Sequence, residues 1–406
     1  MSYYLTTPIY YVNAKPHIGH AYTTIAGDIL VRHQQQRGEE TFFLTGVDEH
    51  ASKVYRAAQA EGLEPYEYLE QIAVPWRELP ERLNARNDFF LRTSDEGHKA
   101  FVRDFVQRIY DNGDVYEDVY AGYYCVQCET FYSEDDLRDG KCPVHGIIPE
   151  WIEEKNYFFR LSAYQGRLLE LYDSRPDFVL PAFRYNEARS FIEGGLSDFS
   201  ISRAGQPWGI PLPWDESQVA YVWVDALPNY LSALTYARPG EDQVEPFWPG
   251  RHLLGKDILR FHCIYWPALL LSAGYEVPKQ LFVHGWLLDV ADRKISKSTG
   301  TALDPLDLID VYGADAVRFW VCRAVQFGQD GSAPIESLHE RYERELGNDL
   351  GNLVSRTTAM IARYRDGTIP IAPGAFPSES FERLGTEVAA RLDLYDLSGA
   401  LDVIWD

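Results

Sequence analysis

An open parallel-sheet α/β fold is predicted by three observations. Two apolar strand patterns, at 3–7 and 41–46, enclose a helical stripe at 20–37. Polar residues gather just past those strand ends, where open α/β sheets bind ligands. A Tyr- and Gly-rich stretch with clustered cysteines then interrupts the rhythm at 117–216, and the chain turns helical after about residue 300.

Taken in order, residues 3–7 read as a buried strand and 8–16 as a Pro/Asn/Ala loop. In 20–37 the residues Tyr22, Ile25, Ala26, Ile29 and Leu30 share one helical face, and Gly38 ends the helix. Thr41–Gly46 is a second strand, with Asp48, Glu49 and His50 beyond it. No G-x-G-x-x-G follows the first strand, which argues against a dinucleotide site. The sheet is expected to resume at Val219–Asp225, Arg251–Gly255 and Leu281–Leu288. One long amphipathic helix is expected over 338–365, with Leu346, Leu350, Leu353, Val354, Ile361 and Tyr364 on its stripe. A Gly/Pro linker (367–377) then leads to a last helix running to Asp406.

The chain has 406 residues, too many for one ordinary core, and a net charge of −23. Such a charge repels phosphate, so any nucleic-acid contact must use local basic patches, and a DNA partner is not expected. The N-terminus lacks a basic segment followed by an apolar run, and the most apolar stretch, 263–275, contains Pro267 and is too short to span a bilayer. A cytoplasmic location without membrane attachment is the expectation.

Five cysteines in a chain this long do not make a disulfide framework. Cys125-x2-Cys128 and Cys142-x2-His145 are separated by thirteen residues. Four soft ligands with no obvious open position suit a structural tetrahedral zinc. Cys263 and Cys322 lack partners in sequence and are expected in the core.

Two further strings carry chemistry. PHIGH (16–20) follows a strand and opens a helix; KISKS (294–298) follows another strand and starts a loop. Backbone N–H groups at a helix start attract phosphate, Gly19 allows close backbone approach, and His17 and His20 can donate to phosphate oxygens. Lys294 and Lys297 place positive charge on a loop, where it can meet phosphate charge.

PHIGH and KISKS, in this order, resemble the two ATP-binding signatures of class I aminoacyl-tRNA synthetases. With the knuckle, and with TTPIYYVNAKPHIGH, TGVDEH, SISR, PWGIPLPW, YVWVDALPNY, GKDILRFH, HGWLL and GNDLGNLVSR in family order, the chain resembles the methionyl-tRNA synthetase family from residue 3 to about 365. The resemblance implies a Rossmann-like catalytic domain in two halves (1–116 and 217–300). It also implies a zinc-knuckle insertion (117–216), a stem-contact region (301–337) and part of an α-helical anticodon-binding bundle (338–406).

The resemblance further implies a methionine pocket from Ile9, Tyr11, Asp48, Trp223, Ala226, Leu227, Tyr230 and His262. ATP contacts would come from Gly19, Gly255, Asp257, His284 and Gly285, and catalytic contacts from His17, His20, Lys294, Lys297 and Arg203. Asn352 and Arg356, four apart on one helix face, would read the anticodon. ATP, magnesium and zinc are the implied cofactors. L-methionine and tRNA(Met), initiator tRNA included, are the implied partners of a monomer. The family's bundle continues beyond the point matching Asp406, so amino-acid activation is expected to persist with tRNA charging weak. Ile295 stands where Met is usual, and Thr301 where Asn is usual. Two alternatives stay open: a paralog activating an amino acid for a non-tRNA acceptor, and a non-catalytic regulatory paralog.

Overall fold

The computed structural model describes residues 2–12, 14–143, 146–291, 293–295, 303–369 and 379–406. It divides into two compact units. The first comprises Met1–Pro16, Gly38–Pro80 and Arg86–Val283; the second comprises His17–Arg37, Glu81–Ala85 and His284–Asp406.

The first unit is built on a six-stranded sheet. Its strands are β1 (Ser2–Tyr11), β2 (Glu40–Asp48), β3 (Phe89–Arg92), β4 (Val179–Leu180), β5 (Arg251–Gly255) and β6 (Gln280–His284), in spatial order β3-β2-β1-β5-β6-β4. β1 pairs in parallel with β2 and β5, β2 with β3, and β6 with β4. The strands are apolar runs without alternation, as a sheet buried on both faces requires; Tyr4, Leu5, Phe42, Phe43, Leu44, Leu253 and Leu254 are all buried. The order reverses at β1, which has β2 on one side and β5 on the other. Such switch points are where open α/β sheets bind ligands.

Three strand expectations need correction. The loop expected from residue 8 begins later, because β1 runs through Pro8 to Tyr11. Pro8 is accommodated at a register shift between Thr6 and Ile9, the kind of position where a strand tolerates a missing N–H. Val219–Asp225 is not a strand of this sheet. Asp215–Ala220 belongs to a separate three-stranded sheet, and Val222–Ala226 is helical. A short run buried on all sides cannot be told from a buried helix by periodicity. Leu281–Leu288 is two strands, since β6 ends at His284 and Leu287–Leu288 pairs instead with Gly331–Ser332.

From Val115, just ahead of the 117–216 stretch, the chain forms a four-stranded sheet of Thr130–Tyr132, Val115–Cys125, Glu150–Phe159 and Phe199–Ser200, paired antiparallel. The same stretch also supplies β4 to the parallel sheet.

The second unit opens with the helix Ile18–Gln36. From residue 335 the expected single helix is Ile335–Arg341, then a π-helical stretch Tyr342–Gly351, then Asn352–Arg365. Gly347 and Gly351 in that run lower the preference for a regular α-helix, and wider turns result. The last helix is also two, Glu379–Asp393 and Leu397–Trp405. Tyr395, with φ of 62°, breaks the run, and Asp396 caps the second helix by accepting from the Gly399 N–H. No helix among the described residues is long and apolar enough to cross a membrane.

Candidate active site

The residues expected for the amino-acid slot all lie in the first unit. β1 and β2 end together, with Tyr11 paired to Asp48 and Ile9 to Gly46. Asp48 is only 2% exposed. Across from them the helix Val222–Ala226 carries Trp223, whose ring meets Tyr11 edge-on at 6.1 Å and stacks flat on Phe261 at 3.9 Å. Ala226 and Leu227 follow on the same turn, where the Leu227 N–H bonds the Trp223 carbonyl. Trp223 Nε1 is buried with no hydrogen-bond acceptor among the described residues.

Tyr230 and His262 close the slot. His262 Nδ1 lies 3.0 Å from the Ile258 carbonyl, which only accepts, so Nδ1 carries the proton. Nε2 then accepts from the Tyr230 hydroxyl at 2.7 Å. Burial lowers His262 to about 4, against smaller opposing effects of the Ile258 carbonyl and Asp257. The imidazole is therefore neutral at physiological pH. Behind it, His252 stacks on Tyr230 at 4.1 Å and is bonded to Thr6 and Trp266. All eight residues expected for this pocket lie in the first unit. Phe261 was not among them; its place in GKDILRFH beside His262 is the signal that marked it.

The nucleotide signature lies in the second unit. His17 is the N-cap of Ile18–Gln36: its Nδ1 accepts from the Gly19 N–H, and His20 Nδ1 accepts from the His17 N–H, both at 3.1 Å. The two rings stack at 3.7 Å. Crowding by protein atoms, then the nearby His17 and Lys294, hold His20 well below its usual pKa. With Nδ1 accepting, each neutral imidazole carries its proton on Nε2, a donor suited to a phosphate oxygen. His284 Nδ1 donates to the Gly285 carbonyl at 2.8 Å, so its Nε2 accepts from the Thr23 hydroxyl at 2.8 Å. At Gly285 a Cβ would collide with the backbone of Gln329 and Asp330, so only glycine fits. Lys294 Nζ sits 4.5 Å over the Trp286 ring. Lys297 lies outside the described residues. In the first unit, Gly255 ends β5 and Asp257 is exposed on the turn that follows.

Arg203 is 7% exposed and bidentate to Glu154, at 2.9 Å for each bond, with its guanidinium 4.2 Å over Tyr124. Burial works against its charge, but Glu154 and Tyr124 outweigh that and raise its pKa. Asn352 and Arg356 are both exposed on the helix Asn352–Arg365.

The sulfurs of Cys125, Cys128 and Cys142 lie within 4.8 Å of one another. Cys128 Sγ and Cys142 Sγ are 3.7 Å apart, close to the ~3.8 Å edge of a tetrahedron with zinc–sulfur bonds of about 2.3 Å. The donor set fits a structural zinc. His145, the expected fourth ligand, lies outside the described residues. Cys263 and Cys322 are buried, as expected.

The model of the family "tRNA synthetases class I (M)" matches residues 3–147 and 133–358. The chain is 47% identical to the methionine–tRNA ligase of Thermotoga maritima, covering 100% of this chain and 66% of that protein. It is 48% identical to the methionine–tRNA ligase of Thermosynechococcus vestitus, covering 91% of this chain and 71% of that protein. The chain spans 63–66% of the length of the first curated relatives it matches. The Mycobacterium tuberculosis methionyl-tRNA synthetase in complex with methionyl-adenylate superposes with a TM-score of 0.94 at 41% identity, covering 100% of this chain and 81% of that one. The free form of that enzyme gives 0.83 at 38% identity. This chain belongs to the methionine branch of the class I tRNA synthetases.

Proposed function

We propose that the chain activates L-methionine with ATP and passes the methionyl group to tRNA(Met), initiator tRNA included. The methionine carboxylate oxygen attacks the α-phosphorus, the bond to the bridging oxygen breaks, and pyrophosphate leaves; methionyl-adenylate remains. The observation that carries this reading is a run of ring contacts beside a buried acid: Trp223 meets Tyr11, Phe261 and His262, His262 is bonded to Tyr230, and Tyr11 is the register partner of the buried Asp48. A thioether suits an aromatic-lined slot, and a buried carboxylate suits an ammonium. A neutral His262 adds no charge to repel either group.

No side chain needs to act as nucleophile, so catalysis is positioning and electrostatics. In the second unit, His17, His20, Lys294 and Lys297 would meet phosphates and Gly19, His284 and Gly285 would contact ATP; in the first unit, Gly255 and Asp257 would contact ATP. Magnesium would arrive with the ATP phosphates, which are its customary ligands. Zinc, held by Cys125, Cys128, Cys142 and His145, would supply folding energy to the inserted sheet. Arg203 would stabilise that sheet beside the active centre, and Asn352 and Arg356 would face the anticodon. We further place the protein in the cytoplasm, as a monomer, with the domain division given above.

Pyrophosphate exchange tests this reading when run with each standard amino acid, followed by charging of tRNA(Met). Methionine should support the fastest exchange. Faster exchange with leucine or another residue would overturn the substrate, and none with any amino acid would overturn the reaction.

A further inference from the structure

Asp225 stands two residues after Trp223 and one before Ala226, on the helix Val222–Ala226. It is fully buried. Each carboxylate oxygen takes one imidazole: Oδ2 takes His50 Nδ1 at 2.6 Å, and Oδ1 takes His98 Nε2 at 3.0 Å. A carboxylate only accepts, so both ring nitrogens carry protons. Burial acts to raise the Asp225 carboxyl, but His50 and His98 outweigh it and hold it below the usual carboxylate range.

The two histidines come from separate elements of the first unit. His50 lies two residues past Asp48, with its ring held edge-on by Trp208 at 5.2 Å. His98 is on the helix Glu96–Asp111, and its Nδ1 meets the Ser232 hydroxyl at 2.7 Å, on the helix that carries Tyr230. Neither histidine is one of the rings that meet in the slot. An ionised carboxylate at this depth is costly without its partners. The chain around Trp223 therefore cannot drift from the end of β2 without breaking a buried charged bond.

We propose that Asp225, clamped between His50 and His98, is a positioning residue for the amino-acid slot. It fixes the wall made by Trp223 and Ala226 relative to Asp48. The distance between aromatic wall and carboxylate is the distance between side chain and ammonium in the ligand, so the clamp sets which amino acid fits. The kinetic consequence rests on the methionine reading; the positional one does not.

The test uses the full chain labelled with 5-fluorotryptophan, its Trp223 resonance assigned by loss in Trp223→Phe. The variants are Asp225→Asn and His50→Gln, the second retaining a donor should the first fail to fold. Both should shift or broaden the Trp223 resonance. Both should raise the methionine KM by about tenfold or more, the scale typical for groups that orient substrate-contacting residues, while the ATP KM stays put. Asp114→Asn is the structural comparison. It removes a carboxylate that accepts from Tyr164 and Ser272 elsewhere in the same unit, and should lower stability while leaving the Trp223 resonance and the methionine KM in place. An unmoved Trp223 resonance in both clamp variants overturns the proposal, as does an equal movement in Asp114→Asn. If the unmodified chain supports no methionine-dependent exchange, the functional reading fails, and the fluorine spectra still decide the clamp.

Discussion

Tyr11 and Asp48 are register partners: the last residue of β1 faces the last residue of β2 across a parallel pair. Burial, then Asp48 and Glu129, raise the Tyr11 hydroxyl well above its usual pKa, so it remains a neutral donor beside a buried acid. Two strands ending in step thus deliver an aromatic ring and a carboxylate to one place.

Replacing Asp48 with Asn should raise the methionine KM by about 10–100-fold, since a hydrogen bond to a charged group contributes roughly 1.5–3 kcal/mol. The loss should nearly vanish for the analogue that has a hydroxyl in place of the ammonium. Pyrophosphate exchange with both compounds checks this, and an equal loss for both would remove Asp48 from ammonium binding.

Stability should fall with acidification between pH 6.5 and 4. His262 is neutral in the folded chain down to about 4, whereas an unfolded histidine protonates near 6.5. In that window the unfolded chain binds the extra proton, so stability is full above 6.5 and is lost as pH drops toward 4. At pH 5 this histidine alone costs about 2 kcal/mol; His20 and His252, also lowered, act with the same sign. Urea unfolding at pH 7.5 and pH 5 should show the drop, and His262→Gln should make it shallower.

One zinc per chain is expected by metal analysis. Cys128→Ser should lose it and lower the unfolding midpoint, because a closed structural site contributes folding energy. Cys263→Ser, at a buried cysteine outside the cluster, should keep the metal. Equal zinc content in the two variants would contradict the assignment.

Gly285→Ala should destabilise the chain by about 1–3 kcal/mol, the usual cost of forcing atoms into a packed site. The added methyl meets the Gln329 and Asp330 backbone, where no rotamer change can make room. Chemical denaturation measures this directly, and a neutral substitution would show that the backbone there yields easily.

Local chemistry made much of the chain legible before any fold was known. The capped start of Ile18–Gln36 followed from PHIGH, and β2 from the apolar Phe42, Phe43 and Leu44 flanked by β-branched Thr41 and Thr45. Cysteine spacing foretold three sulfurs within reach of one ion. Each of these depends on neighbours close along the chain or on a donor set with few alternatives.

What local pattern could not supply was the choice among equally apolar arrangements. Val219–Asp225 is as apolar as a buried strand, yet Val222–Ala226 is helical; a run buried on every side carries no periodicity to tell the two apart. The apolar stripe of the amphipathic helix expected over 338–365 is exposed at Leu353, Val354 and Tyr364. Nor could spacing bring Phe261 onto Trp223 or place Asp225 between His50 and His98, 175 and 127 residues away in sequence. Residue types and short-range order were determined by the sequence itself, because caps, turns and ligand spacings act over a few bonds. The slot's dimensions were decided by tertiary structure, because they depend on the register of β1 against β2 and on bonds that form only once distant segments are packed.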